Sequence, residues 1–215
     1  MPMVNVQVAH TPTGPKHHQI IMLNGPPACG KDTIADMIFV NYPKTRKYKM
    51  AKPLKDAVAG LFGLGIRMVS KFESRREGNT QKNEPQQLMF GMSWREGCIW
   101  MSEEVVKPRF GKEVFGVLAV KNLSRVTSTH MTTISDCGFR DELLPVIKLF
   151  GAENCHLLQV YRSGCTFAND SRSYIRETDL PEHMDFRALN NTQGLRELKQ
   201  QTKAIIDDIL KGAER

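Results

Sequence analysis

Residues 19–38 read QIIMLNGPPACGKDTIADMI, and the order of residue types in this stretch decides the fold. The apolar run from Gln19 to Asn24 predicts a buried strand that ends at Gly25. Apolar residues then recur with the spacing of one helical face, at Ile34, Met37 and Ile38. The stretch therefore predicts a strand, a glycine-containing turn and a helix in direct succession.

The turn GPPACGKDT fits the pattern G-x-x-x-x-G-K, with the hydroxyl residue displaced by one position. Glycine at strained positions lets successive backbone N–H groups point at phosphate oxygens, and the helix N-terminus adds a positive partial charge. Lys31 would span the β- and γ-phosphates, and the Thr33 hydroxyl would hold magnesium directly or through its water. We therefore predict a site for ATP and Mg2+ formed by Gly25, Ala28, Cys29, Gly30, Lys31, Asp32 and Thr33. The alternative is a glycine-rich turn with an incidental lysine.

The rest of the chain alternates β-prone and helical segments. Further strands are predicted at about 45–51, 132–136, 155–162 and 186–190. Helices are predicted after Pro53, after the capping-box pair Ser93 and Glu96, and over the C-terminal residues. Strands that alternate with helices imply right-handed crossovers. We therefore predict an α/β fold, the three-layer sandwich of P-loop NTPases, with a parallel sheet and helices on both faces.

Composition limits the class of protein. No apolar run approaches the roughly 18 to 20 residues of a membrane span, so we predict no membrane partner. The five cysteines are odd in number and form no C-x-x-C pair, which argues against a disulfide framework and against a structural zinc site. Residues 1–18 lack an apolar export segment, so we expect a flexible tail and a cytoplasmic protein.

Positive charge is unevenly distributed. The formal net charge is +7, and residues 44–82 hold eleven Lys or Arg against three Asp or Glu. This excess predicts that an anionic partner docks near that segment. A solvated basic face and a nucleic-acid surface are the alternatives, and polymeric nucleic acid is the less favoured of the partners considered.

The G-K-x-T order in the turn resembles nucleoside monophosphate kinases, and several further motifs resemble the phage-type deoxynucleoside monophosphate kinases. These motifs occur in the same order in both, as GKDTIADMI, AKPLKDAV, ISD, YRSG and LNNTQGLREL. The resemblance covers about residues 19–210. It implies transfer of the γ-phosphoryl group of ATP to a deoxynucleoside 5′-monophosphate, a possible homodimer, and the host cytosol if the chain is phage-encoded.

The same resemblance implies the domain plan. Residues 19–215 would form one kinase domain, with a monophosphate-binding region at about 44–125 and an Arg-rich lid at about 163–184. Lys52, Lys55 and Arg95 would face the acceptor monophosphate. In the alternative reading, the two lysines only solvate a helix, and Arg95 pairs with a neighbouring glutamate.

The resemblance also implies catalytic residues. Asp136 would position magnesium through water, unless it only caps a helix. The family often has a substrate-binding arginine two residues after this aspartate, but position 138 is Gly here, and the role would fall to the nearest arginine, Arg140. The lid arginines would clamp the transferring phosphoryl group beside Lys31, and Arg172 is favoured over Arg162 and Arg176. A solvated charged loop is the alternative for the lid.

Two other functions remain open from the sequence. Another small-molecule P-loop kinase, adenylate-kinase-like or dephospho-coenzyme-A-kinase-like, would share the loop and differ in its acceptor pocket. A kinase or binding module that acts on a modified base in polymeric DNA would also suit a basic chain. The acceptor base cannot be read from the residue pattern.

Overall fold

The computed structural model describes residues 18–74, 80–125, 129–168 and 170–213. Five strands in these ranges form one parallel sheet: β1 (Gln19–Asn24), β2 (Thr45–Tyr48), β3 (Met131–Cys137), β4 (Cys155–Tyr161) and β5 (Asp185–Asn190). Their order across the sheet is β2-β3-β1-β4-β5, and every neighbouring pair is parallel. β1 is therefore the central strand, and the turn that follows it leaves from the middle of the sheet edge.

Helices connect the strands: α1 (Lys31–Asn41), α2 (Lys52–Leu61), α3 (Ile66–Phe72), α4 (Trp94–Trp100), α5 (Lys107–Phe110), α6 (Val114–Leu123), α7 (Arg140–Phe150) and α8 (Leu195–Ala213). A π-helical segment, Met101–Val106, joins α4 to α5. The capping box at Ser93 and Glu96 is present. None of the helices in the described ranges combines the length and apolar character needed to cross a bilayer.

The sheet is the middle of three layers. One core cluster joins one sheet face to α1 and α8, through residues such as Ile21, Ile34 and Ile206. A second cluster covers the other face with α6 and α7, through Ile20, Ala119 and Val146 among others. Parallel strands are buried on both faces, and the inner strands β1, β3 and β4 are buried along almost their whole length. The predicted α/β sandwich is confirmed.

A third core cluster lies apart from the sheet and occupies part of the region predicted at 44–125. Its buried members come from α2, α3, α4, α6 and the segments between them, and include Val58, Phe72, Met89, Trp94 and Phe115. Trp94 is 1% exposed and stacks on Phe72, with ring centroids 5.6 Å apart. This cluster forms a small helical lobe beside the carboxyl ends of β2 and β3.

Two predicted boundaries need correction. Residues 1–17 of the predicted tail lie outside the described residues, but His18 is buried and contacts the carbonyl of Thr129 and the hydroxyl of Thr132. The predicted lid at 163–184 is not independent over its whole length. Ile175 is 4% exposed in the main core, and its backbone N–H donates to the Asn24 side chain on β1 at 3.1 Å. The second half of that stretch is therefore anchored to the sheet.

We predict that Gly116→Ala destabilises the fold by about 1 to 3 kcal/mol because the site has no room for a methyl group. A Cβ at this position in α6 would overlap the Glu142 carbonyl oxygen and would lie 3.1 Å from Cδ of Pro145. The matched control is Gly60→Ala in α2, where an added Cβ meets nothing within 4 Å. That variant should gain up to about 1 kcal/mol from helix propensity. Urea unfolding measures both; equal effects would contradict the packing.

Candidate active site

A cavity of about 780 Å3 lies across the carboxyl ends of β1 and β3, between the sheet and the helical lobe. Its walls come from the turn after β1, the end of β3, the helices α2, α4 and α7, and the π-helical segment. Open α/β sheets bind ligands at this edge because side chains and helix N-termini converge there. The cavity is therefore the candidate active site.

The turn after β1 has the backbone conformation that a phosphate cradle requires. Ala28 and Gly30 both lie in the left-handed region, with φ of 62° and 109°. At Gly25 a Cβ would lie 2.6 Å from the carbonyl oxygen of Val160 and 2.8 Å from Sγ of Cys29. The first amides of α1 have no partner within the helix. The cofactor residues predicted from sequence are thus brought together in one loop.

Two side chains from the far half of the sheet hold this loop. Asn191, just after β5, donates from Nδ2 to the Cys29 carbonyl at 2.9 Å. Arg162, just after β4, donates from Nη1 to the Ala28 carbonyl at 3.0 Å and also lines the cavity. A Cβ at Gly30 would lie 2.6 Å from Nδ2 of Asn191. Sequence reasoning missed this role of Asn191, although it belongs to the quoted LNNTQGLREL motif.

Lys31 is buried at the start of α1, and its ammonium turns back into the loop. Nζ donates to the carbonyl oxygens of Gly25 at 2.7 Å and of Pro26 at 2.6 Å. It also lies 3.6 Å from Sγ of Cys29. Burial lowers the pKa of Lys31, and the nearby Arg172 adds to that lowering. The cation is therefore held among the backbone groups that would surround a polyphosphate.

Oxygen groups line the cavity beside Lys31. Asp32 accepts from the Ser135 hydroxyl at 2.7 Å and pairs with Lys49 at 3.2 Å. Both oxygens of Asp136 accept backbone N–H groups of the two residues before α2, from Met50 at 2.8 Å and Ala51 at 3.0 Å. Asp136 thus fixes the backbone that leads into α2.

The donor set at this edge fits magnesium. Thr33, Asp32, Ser135 and Asp136 all line the cavity with oxygen atoms. Magnesium prefers oxygen ligands and is usually held by one or two carboxylates together with substrate phosphates and water. The carboxylate oxygens of Asp136 keep acceptor capacity beyond their two amide contacts. The predicted metal residues Thr33 and Asp136 therefore remain suitable, and the role stays a prediction.

A second group of cations lines the same cavity and is called the distal cation cluster: Lys55, Lys82 and Arg95. Lys55 forms an ion pair with Glu73, and Arg95 donates from Nε to Asn83 at 3.0 Å. Burial lowers the pKa of Lys82, and Arg95 lowers it further. Sequence reasoning missed Lys82, for which the excess of basic residues in 44–82 was the available signal.

Five predicted site residues do not line this cavity: Gly25 and Cys29 are buried within the loop, and three charged residues lie elsewhere. Lys52 is exposed and pairs with Asp56 one helical turn along α2, at 2.6 Å. Arg140 donates from Nε to the carbonyl of Asp179 at 2.7 Å. Arg176 pairs with the carboxylate of Asp179 at 2.9 Å, and its side chain is 78% exposed. Their charges are thus balanced outside the cavity, and the substrate-binding and catalytic roles predicted for them need correction.

The cavity wall formed by the π-helical segment and α7 carries a buried charge group. Glu142, 5% exposed, lies 3.4 Å from Nζ of Lys107, which also donates to Glu103 at 2.8 Å. The Lys107 ammonium stands 3.5 Å above the ring centre of Phe139. Burial raises the pKa of Glu142 to about 7. A buried carboxylate costs free energy when it is charged and unpaired. In this wall Lys107 supplies the partner of Glu142.

Comparison with known proteins adds little to this geometry. No family model matches the chain, and no curated protein matches it. Among solved structures, the crystal structure of TT1252 from Thermus thermophilus is similar to this chain, with a TM-score of 0.42 and 18% sequence identity. The match covers 89% of this chain and 98% of TT1252. A likeness of this degree carries no information about function.

We predict that Glu142→Gln makes stability less dependent on pH. Because the pKa of Glu142 is raised from 4.5 to about 7 in the folded protein, the wild type should lose stability as pH rises through this window. This shift in pKa corresponds to a loss of up to roughly 3 kcal/mol in the free energy of unfolding of the wild type. The variant should not show this loss. Urea unfolding at pH 5 and pH 8 measures the difference.

The control for this prediction is Glu104→Gln, which changes an exposed carboxylate on the same segment as Glu103. Its stability should follow that of the wild type at both pH values. If the difference in stability between the Glu142→Gln variant and the wild type does not change with pH, the raised pKa is contradicted.

Proposed function

We propose that the protein is a deoxynucleoside monophosphate kinase, which transfers the γ-phosphoryl group of ATP to a deoxynucleoside 5′-monophosphate. The observation that carries the proposal is that one cavity contains both the loop around Lys31 and the distal cation cluster. Two sets of cations that line one cavity suit two phosphorylated substrates that meet end to end. A protein that only hydrolyses or senses a nucleotide would have no use for the second set.

The loop side supplies the donor half of the reaction. Backbone amides at the N-terminus of α1 and the ammonium of Lys31 would bind the triphosphate. Thr33 and Asp136 would hold magnesium, which neutralises charge on the phosphates when it is bound. Arg162 already holds the loop through the Ala28 carbonyl. These groups are fixed before a ligand arrives, so little reorganisation accompanies binding.

The lobe side supplies the acceptor half. Lys55, Lys82 and Arg95 would bind the monophosphate, and the aromatic and apolar wall of Phe72, Trp94, Phe115 and Phe139 would receive the nucleoside. A cavity of about 780 Å3 lies within the range typical of small-molecule sites. Its concave shape favours a free nucleotide over a base in polymeric DNA.

Catalysis would rest on alignment and charge. Phosphoryl transfer passes through a loose transition state, so the protein has little covalent work to do. The acceptor oxygen forms a bond to the γ-phosphorus as the bond to the ADP oxygen breaks, and the acceptor phosphate needs no strong base. Lys31 and Arg172, which line the same cavity, would stabilise charge on the moving group.

The first test is a panel of deoxynucleoside monophosphates incubated with ATP and magnesium, with ADP release and diphosphate product both measured. We expect turnover of at least one free monophosphate. Coenzyme-A precursors and adenylate in the same panel separate the other small-molecule kinases. Steeply salt-dependent duplex binding without turnover of any monophosphate would instead support action on polymeric DNA.

The second test removes the loop cation. Lys31→Ala should keep the fold but lower kcat by several hundredfold, about 3 to 4 kcal/mol in barrier, because one fixed donor to the transition state is lost. Lys52→Ala is the matched control because Lys52 is an exposed lysine outside the cavity. Circular dichroism checks that both variants are folded. Undiminished turnover in the Lys31 variant would refute the proposed role of the loop.

A further inference from the structure

The carboxylate of Asp170 forms a bidentate ion pair, or fork, with the guanidinium of Arg172. Oδ1 accepts from Nε of Arg172 at 2.8 Å, and Oδ2 accepts from Nη2 at 2.6 Å. Oδ1 also accepts the backbone N–H of Arg172 at 3.0 Å, which closes a tight local turn. The Asp170 side chain is only 6% exposed. Bidentate charge-assisted bonds of this kind fix orientation and also contribute energy.

Gly138 provides the room that Arg172 needs. A Cβ at position 138, just after β3, would lie 2.9 Å from Cβ of Arg172 and closer still to its Cγ and Cδ. The aliphatic stem of Arg172 therefore runs directly across the backbone of Gly138. Any larger residue at 138 would push the arginine out of its present path.

Arg172 stands between the two ends of the cavity. Arg95 of the distal cation cluster reaches to 3.8 Å from the same Asp170 carboxylate. Arg172 and Lys31 also line the same cavity, and the charge of Arg172 adds to the lowering of the pKa of Lys31 that burial causes. The fork with Asp170 raises the pKa of Arg172, so its charge is permanent. One side chain thus borders both sets of cations.

We propose that Asp170 is a positioning residue that, together with the open space at Gly138, fixes the guanidinium of Arg172 at the point where the two phosphate chains meet. The inference rests on the proposed kinase function and deepens it. Asp170 occupies the Nε and Nη2 face, which leaves Nη1 and the second proton of Nη2 to contact the transferring phosphoryl group. Within the described part of the chain, neither Arg162 nor Arg176 is held by a fork that aims it into the cavity.

The principal test is Asp170→Asn, measured in the intact protein by steady-state kinetics. Asparagine keeps the shape but loses one charged acceptor and presents an N–H2 group to an N–H donor. We expect kcat to fall on the order of 10- to 100-fold, with KM for the monophosphate changed less than about threefold, because alignment in the transition state is lost. Gly138→Ala should lower kcat in the same way. Asp179→Asn is the matched control since it breaks another Asp–Arg pair, outside the cavity, and should leave kcat unchanged.

A double-mutant cycle tests whether Asp170 acts through Arg172. In an Arg172→Ala background, adding Asp170→Asn should cause no further loss of kcat. Full additivity of the two losses would overturn the inference. An unchanged kcat with a lowered KM for the monophosphate in Asp170→Asn would also overturn the inference. That result would mean that the carboxylate competes with the acceptor phosphate for the arginines.

A measurement made without substrate tests the positioning role of Asp170 independently of the proposed kinase function. The Nε–H resonance of Arg172, assigned by its disappearance in Arg172→Lys, should be protected from solvent exchange in the wild type. Asp170→Asn should abolish that protection, and Asp179→Asn should not. If the wild type turns over no monophosphate but the resonance behaves as expected, the kinase proposal falls and the positioning role stands. If the protection survives in Asp170→Asn, the positioning role falls whatever the activity.

Discussion

The architecture depends on unpaired backbone amides at the end of the central strand. The chain leaves β1 at Gly25, turns through left-handed conformations at Ala28 and Gly30, and enters α1 at Lys31, beside the cavity. These groups carry partial positive charge and have no partner in their own helix. The buried ammonium of Lys31 increases that charge, and the surrounding carbonyl oxygens offset it only in part. A site with this electrostatic character is suited to an anion.

Several cations in and beside the cavity are paired with carboxylates, and each close pair limits the freedom of its members. Lys49 is paired with Asp32, Lys55 with Glu73, Arg172 with Asp170 and Lys107 with Glu142. Desolvated charges are tolerated only when they are paired in this way. The pairing also preorganises the cations, because a side chain held by its counter-ion loses less entropy when a phosphate binds.

The fold could be predicted from the sequence because its signals are local. The strand at 19–24, the glycine turn and the Ser93 capping box each depend on residues close in the chain, and each is present. The cavity was harder to predict, because its residues come from distant segments. Lys82, Asn191 and Asp170 reach it only through the tertiary fold, and their sequence neighbourhoods show no periodicity. Lys52 and Arg176 were predicted at the site from the family resemblance, whereas carboxylates close in the chain pair with them outside the cavity.

The close packing of α6 against α7 affects which substitutions the cavity wall can accept during evolution. Main-chain atoms of the two helices touch where Gly116 meets the carbonyl of Glu142, so the backbone frame on that side is rigid. Ser102, Glu103 and Glu142 line the cavity beside this frame. Single exchanges at these three positions would therefore alter the hydrogen-bonding character of the pocket without shifting any helix. Such a wall can evolve new preferences by point substitution while the loop after β1 stays intact.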